Sequence, residues 1–449
     1  MDYSVLQIFR CLYTSDWFWS RSAVPGIAAY FRNVNFNNGN RNINTSSNSN
    51  RVRCVRTKNG SAAVLFYSFL FFRLMDDFSL LDLVKAYKDC RRHKRNTNCA
   101  VEFEFELEKN LLSLYDDLKS GRYEIGGSTC FIVLKPKPRE VWAASFRDRI
   151  VHHLVYNAVC DRFYRRFISD TYSCIPDKGS LKGARKLSRY IQAVTDNYKS
   201  EAYFLKADIK NFFVSIDKNV LFSLLSKLIN EQWILNLLRL IVFDNPKNHV
   251  IIKSPKKKFL KLPPHKSLWN TPADKGLPIG NLTSQFFSNV YLNVLDQFIK
   301  HSLKCRYYCR YVDDFVILDK SASNLNYYHK AVTDFIKNNL KLDLHQNKKT
   351  INKTFTGVDF VGFTVKHNRI FLRQNTIRRM FRLFYNLPGS FLKKNFSRTF
   401  HAVNSYMGFL RSTNGFRLRK KLSDCAVHSF FETDSCFSKL CLPAGFFFY

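Results

Sequence analysis

Two adjacent acids inside an apolar run constrain this chain more than any other feature. The run is Arg310-Tyr311-Val312-Asp313-Asp314-Phe315-Val316-Ile317-Leu318. Apolar residues on both sides predict a hairpin whose short strands pack into a sheet while a tight turn pushes both carboxylates outward. Like charges side by side are costly unless a cation neutralises them. Mg²⁺ meets that need, because it is hard, prefers oxygen ligands and is usually held by one or two carboxylates plus substrate phosphates. Alone, an aromatic-x-Asp-Asp tetrapeptide is a weak signal that also reads as a solvated turn.

Two further stretches give it weight. Upstream, Tyr203-Phe204-Leu205-Lys206-Ala207-Asp208-Ile209-Lys210-Asn211-Phe212-Phe213 reads as an apolar strand ending in a carboxylate. Between the two lies Gly276-Leu277-Pro278-Ile279-Gly280-Asn281-Leu282-Thr283-Ser284-Gln285, a Gly-rich turn opening a helix. Taken in order, the strand-Asp, the turn and the Tyr-x-Asp-Asp hairpin resemble the palm of reverse transcriptases. The resemblance implies an α+β right-hand polymerase fold. Fingers would occupy 75–200, and a palm with an antiparallel sheet flanked by helices 201–365. A C-terminal helical thumb would occupy 366–430, with 431–449 unassigned. It implies Asp208, Asp313 and Asp314 as the catalytic acids, and Asp208, Ile209, Asp313 and Asp314 as the metal site for two Mg²⁺ ions.

Composition agrees with a polyanionic partner. Lysine plus arginine outnumber aspartate plus glutamate 71 to 35, a formal charge of +36, which points to nucleic acid. A membrane surface is the rival partner, but no run reaches the ~18 apolar residues of a span. The nearest, Ala62 to Phe72, is too short and too far in for a signal peptide. The 12 cysteines include no Cys-x-x-Cys pair. Cys305 and Cys309 have no second pair at zinc spacing, so free thiols in a reducing cytoplasm are expected. At 449 residues the chain has room for two or three domains.

Residues 1–74 differ from the rest. From Asn33 to Asn50 half the positions are asparagine, a biased polar composition that builds little core. The stretch resembles the C-terminal end of the lectin-like domains that diversity-generating retroelements mutagenise, where adenine-rich asparagine codons mark the template repeat. On that reading 1–74 is a translated template repeat plus spacer and Met75 is the functional start; the plain alternative is a disordered arm.

From Met75 the pattern becomes globular. Helical spacing covers Leu80 to Tyr87 and Glu102 to Leu118, and Arg147-Asp148-Arg149-Ile150-Val151-His152-His153 opens another helix. Phe131 to Leu134 reads as a strand running into the basic loop Lys135-Pro136-Lys137-Pro138-Arg139. The resemblance places Lys135, Lys137, Arg139 and Arg149 against the incoming dNTP or the template backbone; a solvated basic face is the plainer reading. His152 and His153 are expected to pack rather than act as bases. Asp217 is expected to cap the helix after it, and another helix to run from about Leu181 to Val194.

Phe213 stands five residues after Asp208, where the family carries an aromatic gate against a ribose 2′-hydroxyl, an exclusion by sterics. Lys253 to Lys275, with seven lysines, reads as a surface loop tracking phosphates. Gly276 and Gly280 allow close backbone approach to a ligand, and the helix near Leu282 offers its amides to the nucleotide. The resemblance places Gln285 and Gly280 in the same nucleotide site. Most reverse transcriptases have glutamine where this chain has Ile279. Isoleucine cannot donate a hydrogen bond near the nascent pair, and selectivity that rests on hydrogen bonding goes with the donor. Low fidelity is therefore expected, and the resemblance to the retroelement family implies misincorporation concentrated opposite template adenines.

The resemblance makes Lys349 a candidate contact for departing pyrophosphate, and Gly357 to Phe363 a short strand pair that in the family grips the primer. From Phe360 to Ser423 there is no acid, as a helical thumb along a duplex requires. The subgroup resembled is that of diversity-generating retroelements, cytoplasmic and bacterial or phage-encoded. Its partners are template RNA, cDNA and an accessory basic helical-bundle protein. An antiphage defence reverse transcriptase of the same lineage is one rival, and a catalytically silent RNA-binding palm is another.

Overall fold

The computed structural model describes residues 31–34, 41–44, 77–92, 94, 97–135, 137–385 and 396–422. In chain order the elements begin with β1 (Phe31–Val34), β2 (Arg41–Asn44), α1 (Leu80–Arg91), α2 (Asn98–Phe105) and α3 (Leu107–Lys119). They continue with β3 (Ser128–Val133), β4 (Arg139–Ala144), α4 (Phe146–Tyr164), α5 (Ser180–Val194), β5 (Tyr203–Asp208), α6 (Lys218–Ser226) and α7 (Gln232–Phe243). Then come β6 (Val250–Ile252), α8 (Leu282–Gln297), β7 (Tyr307–Tyr311), β8 (Asp314–Asp319), α9 (Ala322–Leu340) and β9 (Thr350–Lys353). The last are β10 (Val358–Phe360), β11 (Phe363–Lys366), β12 (Arg369–Leu372), α10 (Gln374–Tyr385) and α11 (Phe396–Arg411).

The chain divides into two compact units that interleave along the sequence. The first takes residues 1–128, 144–158 and 229–244; the second takes the remainder. In the first unit α1 carries a full capping box, with the Ser79 hydroxyl accepting from the Asp82 N–H and the Asp82 carboxylate accepting from the Ser79 N–H. The single helix expected over Glu102 to Leu118 is instead two, broken at Glu106, whose φ of −122° and ψ of 51° are not helical. Asp148 is fully buried and accepts from the Tyr123 hydroxyl, the Gly126 N–H and the Ser145 hydroxyl, so its charge is met. His152 is buried, and burial above all drives its pKa down to about 3. It is a neutral packing residue, as expected. Of the Asn-rich segment, β1 and β2 pair antiparallel with Phe31 opposite Asn44. The rest of 1–74, with its reading as a translated repeat, lies outside the described residues, as does the 431–449 tail.

The second unit is built on a four-stranded antiparallel sheet in the order β7-β8-β5-β9. Both of its faces are covered. Phe204, Val316 and Leu318 join a cluster with Leu187 and Ile191 of α5 and with Phe360, Phe363 and Val365 of the β10-β11-β12 sheet. On β5 and β8, Leu205 and Ile317 are also buried, and α9 packs on these two strands. Two covered faces explain why Phe315-Val316-Ile317-Leu318 is apolar without alternation. The outer edge of β7 is capped by the segment through Thr171: the Arg310 N–H donates to the Asp170 carbonyl, and the Tyr172 N–H to the Arg310 carbonyl, both at 3.0 Å. That removes an open edge. Asp217 caps α6 as expected, accepting from the Val220 N–H at 2.9 Å. Just before the basic insertion β6 pairs with β3, and within it the Ser267 hydroxyl and the Leu268 N–H donate to buried Glu140, which also accepts from the Trp142 indole. The seven described cysteines are all free thiols.

Candidate active site

Strand register brings the acids together. β5 and β8 run antiparallel with Asp208 directly opposite Asp314, and residues opposed in this way share one face of the sheet. β7 and β8 are joined by the two-residue turn Val312-Asp313, with Tyr311 paired to Asp314. Past the last ladder pair, the Ile209 N–H donates to the Asp313 carbonyl at 3.3 Å. The hairpin tip is thereby stitched to the end of β5, and all three acids meet at one end of the sheet.

The turn is strained. Val312 has φ +56°, a conformation that two-residue hairpins require and that Gly or Asn adopts cheaply. For a β-branched residue it is an outlier. Such strain persists only where the surroundings over-determine it, and it gathers at functional sites.

A ring of cations faces the acids. Lys206 shares the face of Asp208 by strand alternation; its ammonium lies 3.3 Å from Asp314 and donates to the Asp359 carbonyl at 2.8 Å. Lys348 pairs with Asp208. Burial raises the pKa of Asp313, and the Asp314 charge adds to the rise against its own backbone amide, Arg139 and Arg310. Burial likewise raises Asp314, opposed by Lys206 first and then by Arg373 and Lys137. Lys348 is pushed down by burial and by Lys137 and Lys206. Carboxylates that ionise reluctantly, set among crowded ammonium groups, favour a ligand carrying both cation and polyanion.

The donor set fits a hard cation. Asp208 and Asp314 keep 14% and 29% of their side-chain surface exposed, so both remain accessible. Among the described residues no three His, Cys, Asp or Glu side chains close into a metal cage. Mg²⁺ does not need one, since it keeps several waters and is completed by substrate phosphates.

Lys135, Lys137 and Arg139 are exposed, and the last two act on the aspartates electrostatically. Arg149 belongs to the first unit, where its Nε donates to the Ala144 carbonyl at 2.7 Å. Phe213 is half-buried beside fully buried Phe212, ring centroids 5.3 Å apart. Its carbonyl accepts from the Leu277 N–H at 2.8 Å, which ties it to the Gly-rich turn. The Ile279 carbonyl accepts from the Trp142 N–H at 2.7 Å. Gly280, at φ +135°, could not carry a side chain, because a Cβ would sit 2.5 Å from the Trp142 carbonyl oxygen. The close approach expected at Gly280 is thus made by the protein's own β4. Gln285 is exposed in the first turn of α8. Lys349 donates to Asn326 at 3.1 Å, and it is Lys348, not singled out from the sequence, that reaches Asp208. Lys206 was also missed, although its place two residues before Asp208 in a strand was a legible signal.

Three acids therefore meet at one sheet end among surrounding cations, and a Gly-rich turn opens α8. Residues 135–365, just over half of the chain, match the family described as reverse transcriptase (RNA-dependent DNA polymerase). The chain belongs to that family, whose members direct DNA synthesis from RNA with dNTPs and a divalent metal. No curated protein matches the sequence. Among solved structures, the chain is similar to telomerase from Candida albicans in complex with a fragment of telomeric RNA. That match has 12% identity and a TM-score of 0.39, covering 74% of this chain and 65% of that one. A second is apo telomerase from Candida tropicalis, truncated from its C-terminal domain, at 11% identity and TM-score 0.40, covering 56% and 55%. Among the described residues no helix is long and apolar enough to cross a membrane.

Proposed function

We propose that this chain copies a template RNA into cDNA at Asp208, Asp313 and Asp314, with Mg²⁺ held by these carboxylates and the Ile209 carbonyl. The observation that carries this reading is the register that sets Asp208 opposite Asp314 while the Ile209 N–H binds the Asp313 carbonyl. A cation held by these residues would supply acidification of the primer 3′-hydroxyl and charge neutralisation at the triphosphate. Lys137, Arg139, Lys206 and Lys348 present positive charge to that triphosphate, with Lys135 and Lys349 as outer contacts. Phe213 gates the sugar, and Ile279, Gly280 and Gln285 border the nascent pair. The acid-free helices α10 and α11 belong to the thumb, the palm holds the acids, and the fingers precede it. Replacing Asp208 or Asp313 with Asn should abolish primer extension and leave RNA binding largely intact; extension by either variant refutes the assignment.

The error-prone, diversity-generating type is supported by Ile279. Its main-chain bond to Trp142 does not involve the side chain, so Ile279→Gln should preserve the turn while restoring a donor. The variant should misincorporate less at template adenines; an unchanged adenine error rate in sequenced cDNA removes Ile279 from the account. An accessory basic bundle protein and the template RNA complete that assembly. A defence role in the same lineage would use the same acids, and an adenine-rich repeat beside the gene, matched imperfectly in a lectin-like gene nearby, separates the two.

A further inference from the structure

Beneath the hairpin, in the second unit, lies a buried ion pair that the reaction itself does not call for. Arg310 and Asp296 retain 1% and 0% of their side-chain surface. The guanidinium Nε and Nη2 donate to the two Asp296 oxygens at 2.7 and 2.6 Å. Asp296 also accepts from the Tyr308 hydroxyl at 2.7 Å and the Thr171 hydroxyl at 2.9 Å. With four bonds its acceptor sites are filled. Arg310 uses its remaining donors on Thr171 at 3.4 Å, on Asn289 of α8 at 3.3 Å and on the Val312 carbonyl at 3.0 Å. Five N–H groups meet five acceptors.

A buried pair of this kind is weak evidence for stability, because desolvation offsets its attraction and apolar replacements are often neutral. Its value must lie in what it holds. One of its bonds leaves the network for the catalytic turn, and it ends on the carbonyl of the strained residue just before Asp313. We infer that the Arg310–Asp296 pair is a positioning device that fixes the Val312–Asp313 peptide, and through it the Asp313 carboxylate. This inference rests on the polymerase reading of that carboxylate. Asn289 extends the same network into α8, the helix opened by the Gly-rich turn, so one rigid cluster sets both the acid and the helix behind the nucleotide turn.

The test compares the double variant Arg310→Met/Asp296→Leu with Arg310→Lys, which keeps charge but loses the fork, and with Thr171→Val. The double variant should fold with a lowered thermal midpoint, since the buried Tyr308 and Thr171 hydroxyls lose their acceptor, and keep template–primer affinity and dNTP KM, yet lose kcat by about 10- to 100-fold, the scale of a small misplacement of a reacting group. Arg310→Lys should lose kcat in the same way, and Thr171→Val several-fold. A folded double variant with the parent's kcat overturns the inference. If the double variant does not fold, parent-level kcat in Thr171→Val overturns it instead. Primer extension by the parent, absent in Asp208→Asn, is the control that separates this inference from the polymerase reading. A parent that extends nothing sinks that reading, and the positioning role is then judged on the Mg²⁺-dependent rise in thermal midpoint, which the double variant should lose.

Discussion

Asp313 sits in a position that a stable fold alone would not select. Burial and the neighbouring Asp314 raise its pKa, so in the metal-free protein its ionisation opposes folding. The sign follows from linkage. A carboxylate raised above its unfolded value leaves stability highest below that value, and stability declines as pH rises through the folded pKa. A divalent cation relieves the burden only where the acid is ionised. Mg²⁺ should therefore raise the thermal midpoint most at neutral and alkaline pH, and less as pH falls through the folded pKa of Asp313. Asp313→Asn should melt higher than the parent without metal and lose most of the metal-dependent gain; a midpoint indifferent to Mg²⁺ across that pH range counts against a cation site. The acids were legible from residue type and spacing. Lys348 and Asp296 were not, because what matters about each is the atom it reaches across the fold.

At the scale of elements, α4 carries a pH response independent of catalysis. His152 stays neutral in the fold down to about pH 3, whereas an unfolded histidine protonates near pH 6.5. Below about 6.5 the unfolded state alone takes up the proton, so stability falls by roughly 1.4 kcal/mol per pH unit until the folded pKa is reached. Urea unfolding at descending pH should show this slope, and His152→Leu should flatten it; an unchanged slope in that variant assigns the effect to other groups. Helix α5 was readable because its apolar positions repeat at the helical period, and the hairpin because short apolar runs flank a polar turn. The break at Glu106 was not, since the helical spacing continues across it and only the backbone angles of that residue end α2.

For the whole molecule, the +36 charge would make the proposed RNA binding an ion-exchange process. Six to ten phosphate contacts would lose about 10³- to 10⁵-fold in affinity between roughly 50 and 200 mM salt. A filter-binding series in salt should show that steep fall; a flat dependence would mean the basic surface is not where RNA lies. Local chemistry along the chain determined that an Asp-Asp turn, a strand ending in Asp208 and a Gly-rich helix start exist, because hydrophobic period and turn chemistry are short-range properties. Which residues stand opposite one another was decided by the tertiary structure alone. Register between distant strands set Asp208 against Asp314, close backbone packing required glycine at 280, and a buried guanidinium came to hold Val312. Pairings between segments far apart in sequence leave no periodic trace in either segment.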